Sequence, residues 1–296
     1  MSRTFVVFFY LFLASYVSFA QSDDIVNHNL ELVEITQLDR SYTTRFDLSG
    51  IVKVEDSVFV IADKSWNHYV YRIEFTDDHW ELVDSTEFNL TDGDWEGVDF
   101  CPGQQFYLAD ESANRAYILN QQGHAVKIYD YLQDKWPNAW QDNAGFESLA
   151  IDCENQILYL AKERAPRFIF GLPLNGGEIS ETFNISEEFS NDFADMKFEK
   201  GFLYMLERSG NYVTKLNPKT KTVVARASYR PIGLDGPERL YEPTEYGMAE
   251  ALLITETEIW VGLDNNGLEA SNYAQQRFGL KGTSPAIIKF KRPAGF

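Results

Sequence analysis

Histidine and cysteine are scarce in this chain of 296 residues, which contains four of the first and two of the second. The histidines fall at unrelated places along the sequence: His28, His68, His79 and His124. Neither Cys101 nor Cys153 has the neighbours of a catalytic cysteine or the spacing of a metal-binding pair. The sequence therefore argues against a zinc site and against a cysteine nucleophile.

Positive charge is also scarce, because 26 lysines and arginines stand against 45 aspartates and glutamates. The formal net charge is -19 at pH 7. Such a surface repels the phosphates of nucleic acids, so we expect no nucleic-acid partner. The same surface attracts cations.

Long hydrophobic runs are absent apart from one at the N-terminus. Residues 5–17 are apolar, follow Arg3 and precede the small residues Ser18 and Ala20, which is the pattern of a signal peptide over residues 1–20 cleaved near Ala20-Gln21. The run is too short to span a bilayer comfortably, although a retained membrane anchor is the alternative. We therefore expect a secreted or periplasmic protein without a transmembrane segment in the mature chain.

An internal repeat runs through the rest of the chain. Each copy has a short apolar strand that begins near an anchor residue, then a turn, then a returning strand that ends on an acidic residue. In copy two, Asp94 to Phe100 leads to Gln105 to Glu111. A chance similarity of hairpins is the alternative, but the distance from anchor to returning acid is nearly constant. The anchors recur every 47 to 56 residues, at Ser49, Glu96, Glu147, Ala194 and Glu250.

A period of this length, with strands and no helical pattern inside it, is typical of a β-propeller with four-stranded antiparallel blades. Residues 30–35 read as a strand without a hairpin partner, and the last copy ends with its third strand at residues 286–291. Pairing these two strands would close the ring and remove exposed sheet edges. We predict an all-β, five-bladed propeller over residues 21–296, a single domain and a monomer, with six blades as the alternative.

The first strands of a propeller converge on its axis, so the anchor residues should crowd together. Carboxylates forced close to one another cannot all stay ionised without a counter-charge, and Ca²⁺ accepts several carboxylate and amide oxygens. We predict calcium as the cofactor, held by Glu96, Glu147, Glu250, Asp63, Asp110 and Asp264. The alternative is that these acids are solvated turn residues or form ion pairs with Lys64, Lys162, Arg164 and Arg208.

Three connections are longer than turns require, at residues 130–145, 230–247 and 265–285. In a four-stranded meander all three would emerge on the face that carries the anchor acids. Long loops gathered at one opening of a compact domain are usually functional. This face is therefore the predicted binding surface for a small-molecule, glycan or protein ligand.

A metal-assisted phosphoester or ester hydrolase is the alternative to a binding protein. In that case Glu147 or Asp110 would serve as the base that activates water. The charge that develops on the substrate would be neutralised by Lys162, Arg164 or Arg208. Ser49 occupies the anchor position of copy one, but the repeat ties no histidine to its face, which favours a small-residue anchor over a nucleophile.

The two cysteines leave one question open. Cys101 and Cys153 both lie at the end of the first strand in adjacent copies, and thiols tend to oxidise in exported proteins. Neighbouring blades could bring the two together, but the spacing alone does not decide between a disulfide and two free thiols.

Several ordered motifs carry a family resemblance: DWEGV at 94–98, AGFESLA at 144–150, LAKERAP at 160–166, LERS at 206–209, AEA at 249–251 and LDNN at 263–266. With these motifs the chain resembles the SdiA-regulated family and is similar to the domain described as the esterase-like activity of phytase. The likeness covers nearly the whole mature chain.

The resemblance implies an exported bacterial β-propeller with an axial calcium site and, for the phytase-like branch, phosphoester or ester hydrolysis. Glu96, Glu147 and Glu250 match the anchor glutamates of the family. Copy four departs from the pattern, because Ala194 stands at the anchor position and Asp195 where glycine is usual. A shared fold does not by itself carry a reaction with it.

Overall fold

The computed structural model describes residues 25–296, apart from 43, 65, 91–92, 104, 121, 131–144, 165–166, 176–178, 186–191, 231–235 and 243–247. The predicted signal peptide at residues 1–20 lies outside the described chain, as do most of the loops at 130–145 and 230–247. No helix within the described part has the length and apolar character needed to cross a bilayer.

The regular secondary structure of the described chain is mostly β-strand, with one 3-10 helix at Gly236–Glu238 and one short α-helix. The α-helix, α1 (Asn272–Phe278), interrupts the strands within the third long loop; Ser271 caps its first turn, and Gly279 ends it in the left-handed conformation at φ 72°. In chain order the strands are β1 (Val26–Asn29), β2 (Glu31–Leu38), β3 (Leu48–Val54), β4 (Ser57–Ala62), β5 (Tyr69–Phe75), β6 (His79–Glu87), β7 (Trp95–Cys101), β8 (Gln105–Asp110), β9 (Arg115–Leu119), β10 (Ala125–Tyr129), β11 (Phe146–Asp152), β12 (Ile157–Lys162), β13 (Ile169–Pro173), β14 (Glu181–Phe183), β15 (Asp195–Glu199), β16 (Phe202–Glu207), β17 (Tyr212–Asn217), β18 (Thr222–Ser228), β19 (Ala249–Ile254), β20 (Glu258–Leu263) and β21 (Ala286–Lys291).

Three of the sheets are built on antiparallel meanders of four strands in chain order: β7 to β10, β11 to β14, and β15 to β18. Strand β1 adds a fifth, parallel strand to the last of these, along β18. A tight turn connects β15 and β16, where Lys200 and Gly201 have φ of 50° and 84°. Turns with positive φ at both central residues match the twist of a β-hairpin.

The remaining sheet has eight strands in the order β19-β20-β21-β2-β6-β5-β4-β3. Strand β2 pairs antiparallel with β21, with Ile35 opposite Ile288, which is the pairing of N- and C-terminal strands that the sequence predicts. Strand β2 meets β6 in parallel at two residue pairs, Gln37 with His79 and Leu38 with Trp80. This short contact joins two antiparallel sets of four strands.

The first strands of the repeat copies pack side by side around an axis. Strand β3 packs on β7, β7 on β11, β11 on β15 and β15 on β19, and β19 packs back against β3. The approach is close, because a Cβ added to Gly97 would lie 3.1 Å from the backbone nitrogen of Leu149. Radially arranged antiparallel sheets of this kind form a β-propeller.

Side chains join neighbouring inner strands, which do not share a hydrogen-bond ladder. The Ser49 hydroxyl on β3 donates to the carbonyl of Trp95 on β7 at 2.6 Å. Asp99 Oδ2 on β7 accepts from the backbone of Ile151 on β11 at 3.0 Å. Asp195 Oδ2 on β15 accepts from Leu252 on β19 at 2.7 Å. The hydroxyl of Ser49 is therefore engaged in holding two strands together.

Copy four carries a buried ion pair at the axis. Lys197 donates to both carboxylate oxygens of Asp195 at 2.9 Å and to the carbonyl of Val98, across the axis, at 3.1 Å. Both side chains are buried. Asp195 thus takes part in an ion pair at the centre of the propeller.

Cys101 and Cys153 form a disulfide, with their Cα atoms 5.8 Å apart. Cys101 is the last residue of β7, and Cys153 follows β11 directly. The bond therefore links two neighbouring sheets and answers the question that the spacing left open.

Candidate functional site

The anchor residues project into the axis because they are bulge residues. In the β7–β8 pair, Trp95 lies opposite Asp110 and Gly97 opposite Ala109, which leaves Glu96 as the extra residue. The same shift occurs in three other copies of the repeat. A β-bulge re-aims a side chain out of the regular alternation of a strand. The residues presented in this way are Ser49, Glu96, Glu147 and Glu250.

A second position repeats at the end of each returning strand. We call it the strand-end position: the residue that directly follows β4, β8, β12, β16 or β20. Backbone bonds hold four of these residues to the start of their own copy, as when Asp63 donates to the carbonyl of Asp47 at 2.8 Å. Four of the strand-end residues are acidic and one is basic: Asp63, Glu111, Glu163, Asp264 and Arg208.

A third set of acids stands two residues before the anchor. Asp47, Asp94 and Asp192 occupy this position in copies one, two and four, whereas copy three has Gly145 there. The glycine is needed because a Cβ at residue 145 would lie 2.4 Å from the carbonyl oxygen of Glu111. These acids add to the charge that the anchor and strand-end residues bring to the axis.

The three positions together line a cavity of about 180 Å³ at the axis. Its described walls carry eight carboxylates, three cationic side chains, one hydroxyl and one amide, and contain no histidine or cysteine. The acids are Asp63, Asp94, Glu96, Glu111, Glu147, Glu163, Glu250 and Asp264, and the cations are Lys64, Arg164 and Arg208.

Arg208 compensates one side of this cavity. Its guanidinium donates to Asp192 Oδ2 at 3.0 Å through Nε and to Glu163 Oε1 at 2.6 Å through Nη2. Nη1 contacts Glu250 and lies 3.6 Å from Glu147 Oε1. With its side chain only 6% exposed, Arg208 is a buried counter-ion shared by four carboxylates.

The opposite side of the cavity holds acids whose cationic neighbours are more exposed. On this side, two groups of three acids each bring one carboxylate oxygen per residue within 4.8 Å of the others. One group is Asp47, Asp63 and Asp264, and the other is Asp63, Asp94 and Glu96. Lys64 contacts Asp63, and Arg45 contacts Asp47 Oδ1 at 2.7 Å. Within the described chain, no ion pair is formed by Asp94, Glu96 or Asp264. Buried acidic clusters of this kind could hold a metal ion.

The crowding of acids changes their proton affinities. Burial, reinforced by Glu147 and Glu250, raises the pKa of Glu96 well above its ordinary value. Burial and the neighbouring Glu163 raise the pKa of Glu111 to about 7. Burial and the neighbouring Asp47 raise the pKa of Asp264 to about 8. A bound cation would reverse these shifts, because it favours the ionised form.

Most of the residues predicted as metal ligands line this cavity; Asp110 is not among the lining residues. Its Oδ1 accepts from the Ser112 hydroxyl at 2.8 Å and from the backbone of Ala113 within a local turn, and from the backbone of Asp94 at the start of the copy. The turn between β7 and β8 is one residue longer than that between β3 and β4. Glu111, rather than Asp110, therefore has the position equivalent to Asp63.

The predicted catalytic residues are divided in the same way. Glu147, Arg164 and Arg208 line the cavity, whereas Lys162 does not. Lys162 is buried, and its Nζ donates to the carbonyl of Arg164 at 2.8 Å. Arg164 Nη2 lies 2.7 Å from Glu163 Oε1.

Sequence reasoning missed the contribution of Asp47 and Asp94 to the site. A signal for both was present, because an aspartate stands two residues before the anchor in copies one, two and four. Glu111 and Glu163 were expected near the axis, at the ends of the returning strands of copies two and three, but were not among the predicted ligands. In copy two the hairpin turn is one residue longer than in copy one, which favoured Asp110 over Glu111 in the prediction.

The fold and this cavity define a β-propeller with an acidic axial site. A family model described as SdiA-regulated matches residues 47–226 of the chain. The match covers more than half of the sequence and includes the repeat copies one to four. The protein therefore belongs to the SdiA-regulated family, as the motifs predicted.

Comparison with curated proteins found no match. Among solved structures, the chain is similar to the crystal structure of Myxococcus xanthus glutaminyl cyclase, with a TM-score of 0.60 and 10% sequence identity. The superposition covers 90% of this chain and 97% of that one. At this identity the likeness establishes a common fold and nothing about the reaction.

Proposed function

We propose that this protein is an exported, five-bladed β-propeller that binds Ca²⁺ in its axial cavity and a small-molecule, glycan or protein ligand at its loop-rich face. The observation that carries the proposal is the imbalance of charge in the cavity, where eight carboxylates face three cationic side chains. Buried carboxylates need protons or a cation to offset their repulsion.

The chemistry of the donors favours calcium over a transition metal. The described cavity walls offer carboxylate, amide and hydroxyl oxygens, which are the ligands of hard cations. Asp47 Oδ2 is a buried oxygen without a hydrogen-bond partner in the described chain, and so are Glu163 Oε2 and Glu250 Oε2. Such oxygens fit an ion that accepts many ligands in a flexible geometry.

The proposed count of five blades rests on the circle of inner strands. Strands β3, β7, β11, β15 and β19 each begin one antiparallel set, and the eight-stranded sheet contains two such sets. Only two residue pairs join those sets at β2 and β6, so we treat them as separate blades, the last completed by β2.

Export is supported by the disulfide between Cys101 and Cys153, since disulfides persist in oxidising compartments. The residues that prompted the prediction of a signal peptide, 1–20, lie outside the described chain. We propose a secreted or periplasmic location, with cleavage near Ala20-Gln21. The N-terminal sequence of the protein purified from its native host would test this.

A metal-assisted phosphoester or ester hydrolase is the second candidate. It is favoured by Glu111, whose pKa is raised by burial to about 7, close to the optimum for a general base at neutral pH. In that case a bound cation would polarise a substrate oxygen. Glu147 or Glu111 would accept a proton from water, and Arg164 would neutralise charge at the cavity wall.

Elemental analysis and calcium titration test the proposal directly. We expect the purified protein to contain calcium, and the melting temperature to fall when calcium is removed by a chelator. At a calcium concentration 100 times the Kd, binding stabilises the native state by about 2.7 kcal/mol. A protein that carries no metal and melts at the same temperature with and without chelator would contradict the calcium site.

Hydrolysis assays distinguish the two candidates. The substrates are p-nitrophenyl phosphate, bis-p-nitrophenyl phosphate and simple esters, each tested with calcium and with chelator. Calcium-dependent turnover that is lost in Glu147→Gln supports the hydrolase. Stabilisation by calcium without turnover above that variant supports the binding protein.

A further inference from the structure

The strand-end position of copy four holds Arg208, whereas the other four copies hold a carboxylate there. We propose that Arg208 serves as a built-in cation for one half of the axial acids, and that Ca²⁺ binds in the other half, on Asp47, Asp63 and Asp264. This inference rests on the proposed calcium site and assigns it to particular residues.

The acids Glu111, Glu147 and Glu163 also form a cluster within 4.8 Å, but it lies against Arg208, which already supplies a cation to two of its members. The three nitrogens of Arg208 contact carboxylates from β11, from the end of β12, from the start of copy four and from β19. A guanidinium keeps its charge at any physiological pH. Because Arg208 is buried, its repulsion of a nearby divalent ion is weakly screened by solvent.

The opposite half brings together acids from different strands. Asp47 precedes β3, Asp63 follows β4 and Asp264 follows β20, and one carboxylate oxygen of each lies within 4.8 Å of the others. Backbone bonds fix their positions, because Asp63 donates to the carbonyl of Asp47 and Asp264 to that of Met248, each at 2.8 Å. Asp63 also belongs to the cluster with Asp94 and Glu96, which offers further oxygens.

A second observation points to a ligand in this half. Asp47 is 1% exposed, and its Oδ2 has no hydrogen-bond partner within the described chain, although Arg45 contacts Oδ1. A buried acceptor without a partner is costly, and a metal ion among the three aspartates would supply one.

Buried oxygens without a hydrogen-bond partner also occur beside Arg208, at Glu163 Oε2 and Glu250 Oε2, so this feature does not distinguish the two halves. The exposure of the neighbouring cationic side chains does distinguish them. Arg45 and Lys64 have side chains that are 41% and 31% exposed, in contrast to 6% for Arg208. Their charge is screened by water. Lys64 is also flexible enough to move away from Asp63 when a divalent ion binds.

Calcium titration of the full mature chain by isothermal titration calorimetry, after chelator treatment, tests the assignment. We expect Asp47→Asn and Asp264→Asn each to weaken calcium binding by at least about tenfold, because each removes a charged ligand. Glu147→Gln, on the arginine side, should weaken binding less than either aspartate variant. The matched control is Asp56→Asn in an exposed turn outside the cavity, which should change the Kd by less than about threefold.

Lys64→Gln tests the assignment with a variant that leaves the carboxylates intact. Removing the charge that competes for Asp63 should tighten calcium binding by a factor of about three or more. Far-UV circular dichroism in chelator checks that each variant is folded. If the aspartate variants do not fold, the Lys64 result decides: tighter binding supports the assignment and an unchanged Kd contradicts it.

The outcomes separate this inference from the proposed function. If the wild-type chain binds no calcium, both fail. If it binds calcium but Glu147→Gln abolishes binding while Asp47→Asn and Asp264→Asn retain it, the ion lies on the arginine side and only the assignment fails.

Discussion

At the scale of single residues, the axis of this propeller has two polar centres. One is the acidic cavity, and the other is the buried pair of Asp195 and Lys197, with Asp99 near it. Asp99 and Asp195 each accept a backbone N–H from the next inner strand. The second centre therefore joins strands around the axis, whereas the first leaves buried oxygens without partners.

The Asp195 carboxylate should make stability depend on pH. Burial raises its pKa from 3.8 to about 7, against the attraction of Lys197. The native state then binds this proton more tightly than the unfolded state. Between about pH 4 and pH 7 the native state therefore holds more protons, and the free energy of unfolding falls as the pH rises. Above that window the contribution stays constant.

Urea denaturation in calcium-free buffer at pH 5 and pH 7.5 measures this effect. We expect the wild type to lose more stability between the two values than Asp195→Asn, which cannot titrate at this position. Asp56→Asn, in an exposed turn, is the control and should follow the wild type. Equal losses in the wild type and Asp195→Asn would show that Asp195 does not titrate in this range.

At the scale of elements, the β-bulges direct the anchor side chains into the cavity. A regular β-strand alternates its side chains between two faces, so a residue pointing along the propeller axis requires a break in the ladder. Four copies make that break at the anchor. In copy four the equivalent residue is Ala194, where the ladder has no bulge, and the guanidinium of Arg208 contacts the anchors Glu147 and Glu250.

The disulfide also acts between elements, since it ties the end of β7 to the end of β11. Cys101 and Cys153 are separated by 52 positions. For a loop of this length, the chain-entropy model gives a stabilisation of about 4 kcal/mol. We expect Cys101→Ala/Cys153→Ala to unfold at correspondingly lower urea concentration, close to the reduced wild type. Indistinguishable midpoints for oxidised wild type and the double variant would refute a stabilising role.

At the scale of the whole molecule, the ring depends on pairing between the two ends of the chain. Strand β2 pairs with β21 and also contacts β6. Without it, β21 would become an exposed edge with unpaired backbone groups. Strand β1, in contrast, only extends the sheet of copy four along β18.

Two truncations test this difference. A chain that begins after Leu38 should melt without a single cooperative transition and should self-associate, because its open edge can pair with other molecules. A chain that begins at Leu30 lacks β1 only, and should remain monomeric with a modestly lower melting temperature. Size-exclusion chromatography with light scattering and thermal melts compare the two. A monomeric, cooperative protein without β2 would disprove closure by this strand.

Much of the fold could be predicted because it depends on local sequence patterns. The anchors Ser49, Glu96, Glu147, Ala194 and Glu250 were placed by their spacing, and all but Ala194 are bulge residues of first strands. The pairing of residues 30–35 with 286–291 followed from counting strands. Helix α1 was not predicted, because it is only seven residues long and lies in the 265–285 connection, outside the strand repeat.

The amino-acid sequence by itself determined the repeat, the closure of the ring and the concentration of acids at the axis, because each depends on spacing along the chain. Only the tertiary structure decided how those acids are used. Arg208 reaches carboxylates that are distant in sequence, and turn lengths select Glu111 over Asp110. Such contacts depend on distances between strands of different sheets, and these distances cannot be read from local sequence patterns.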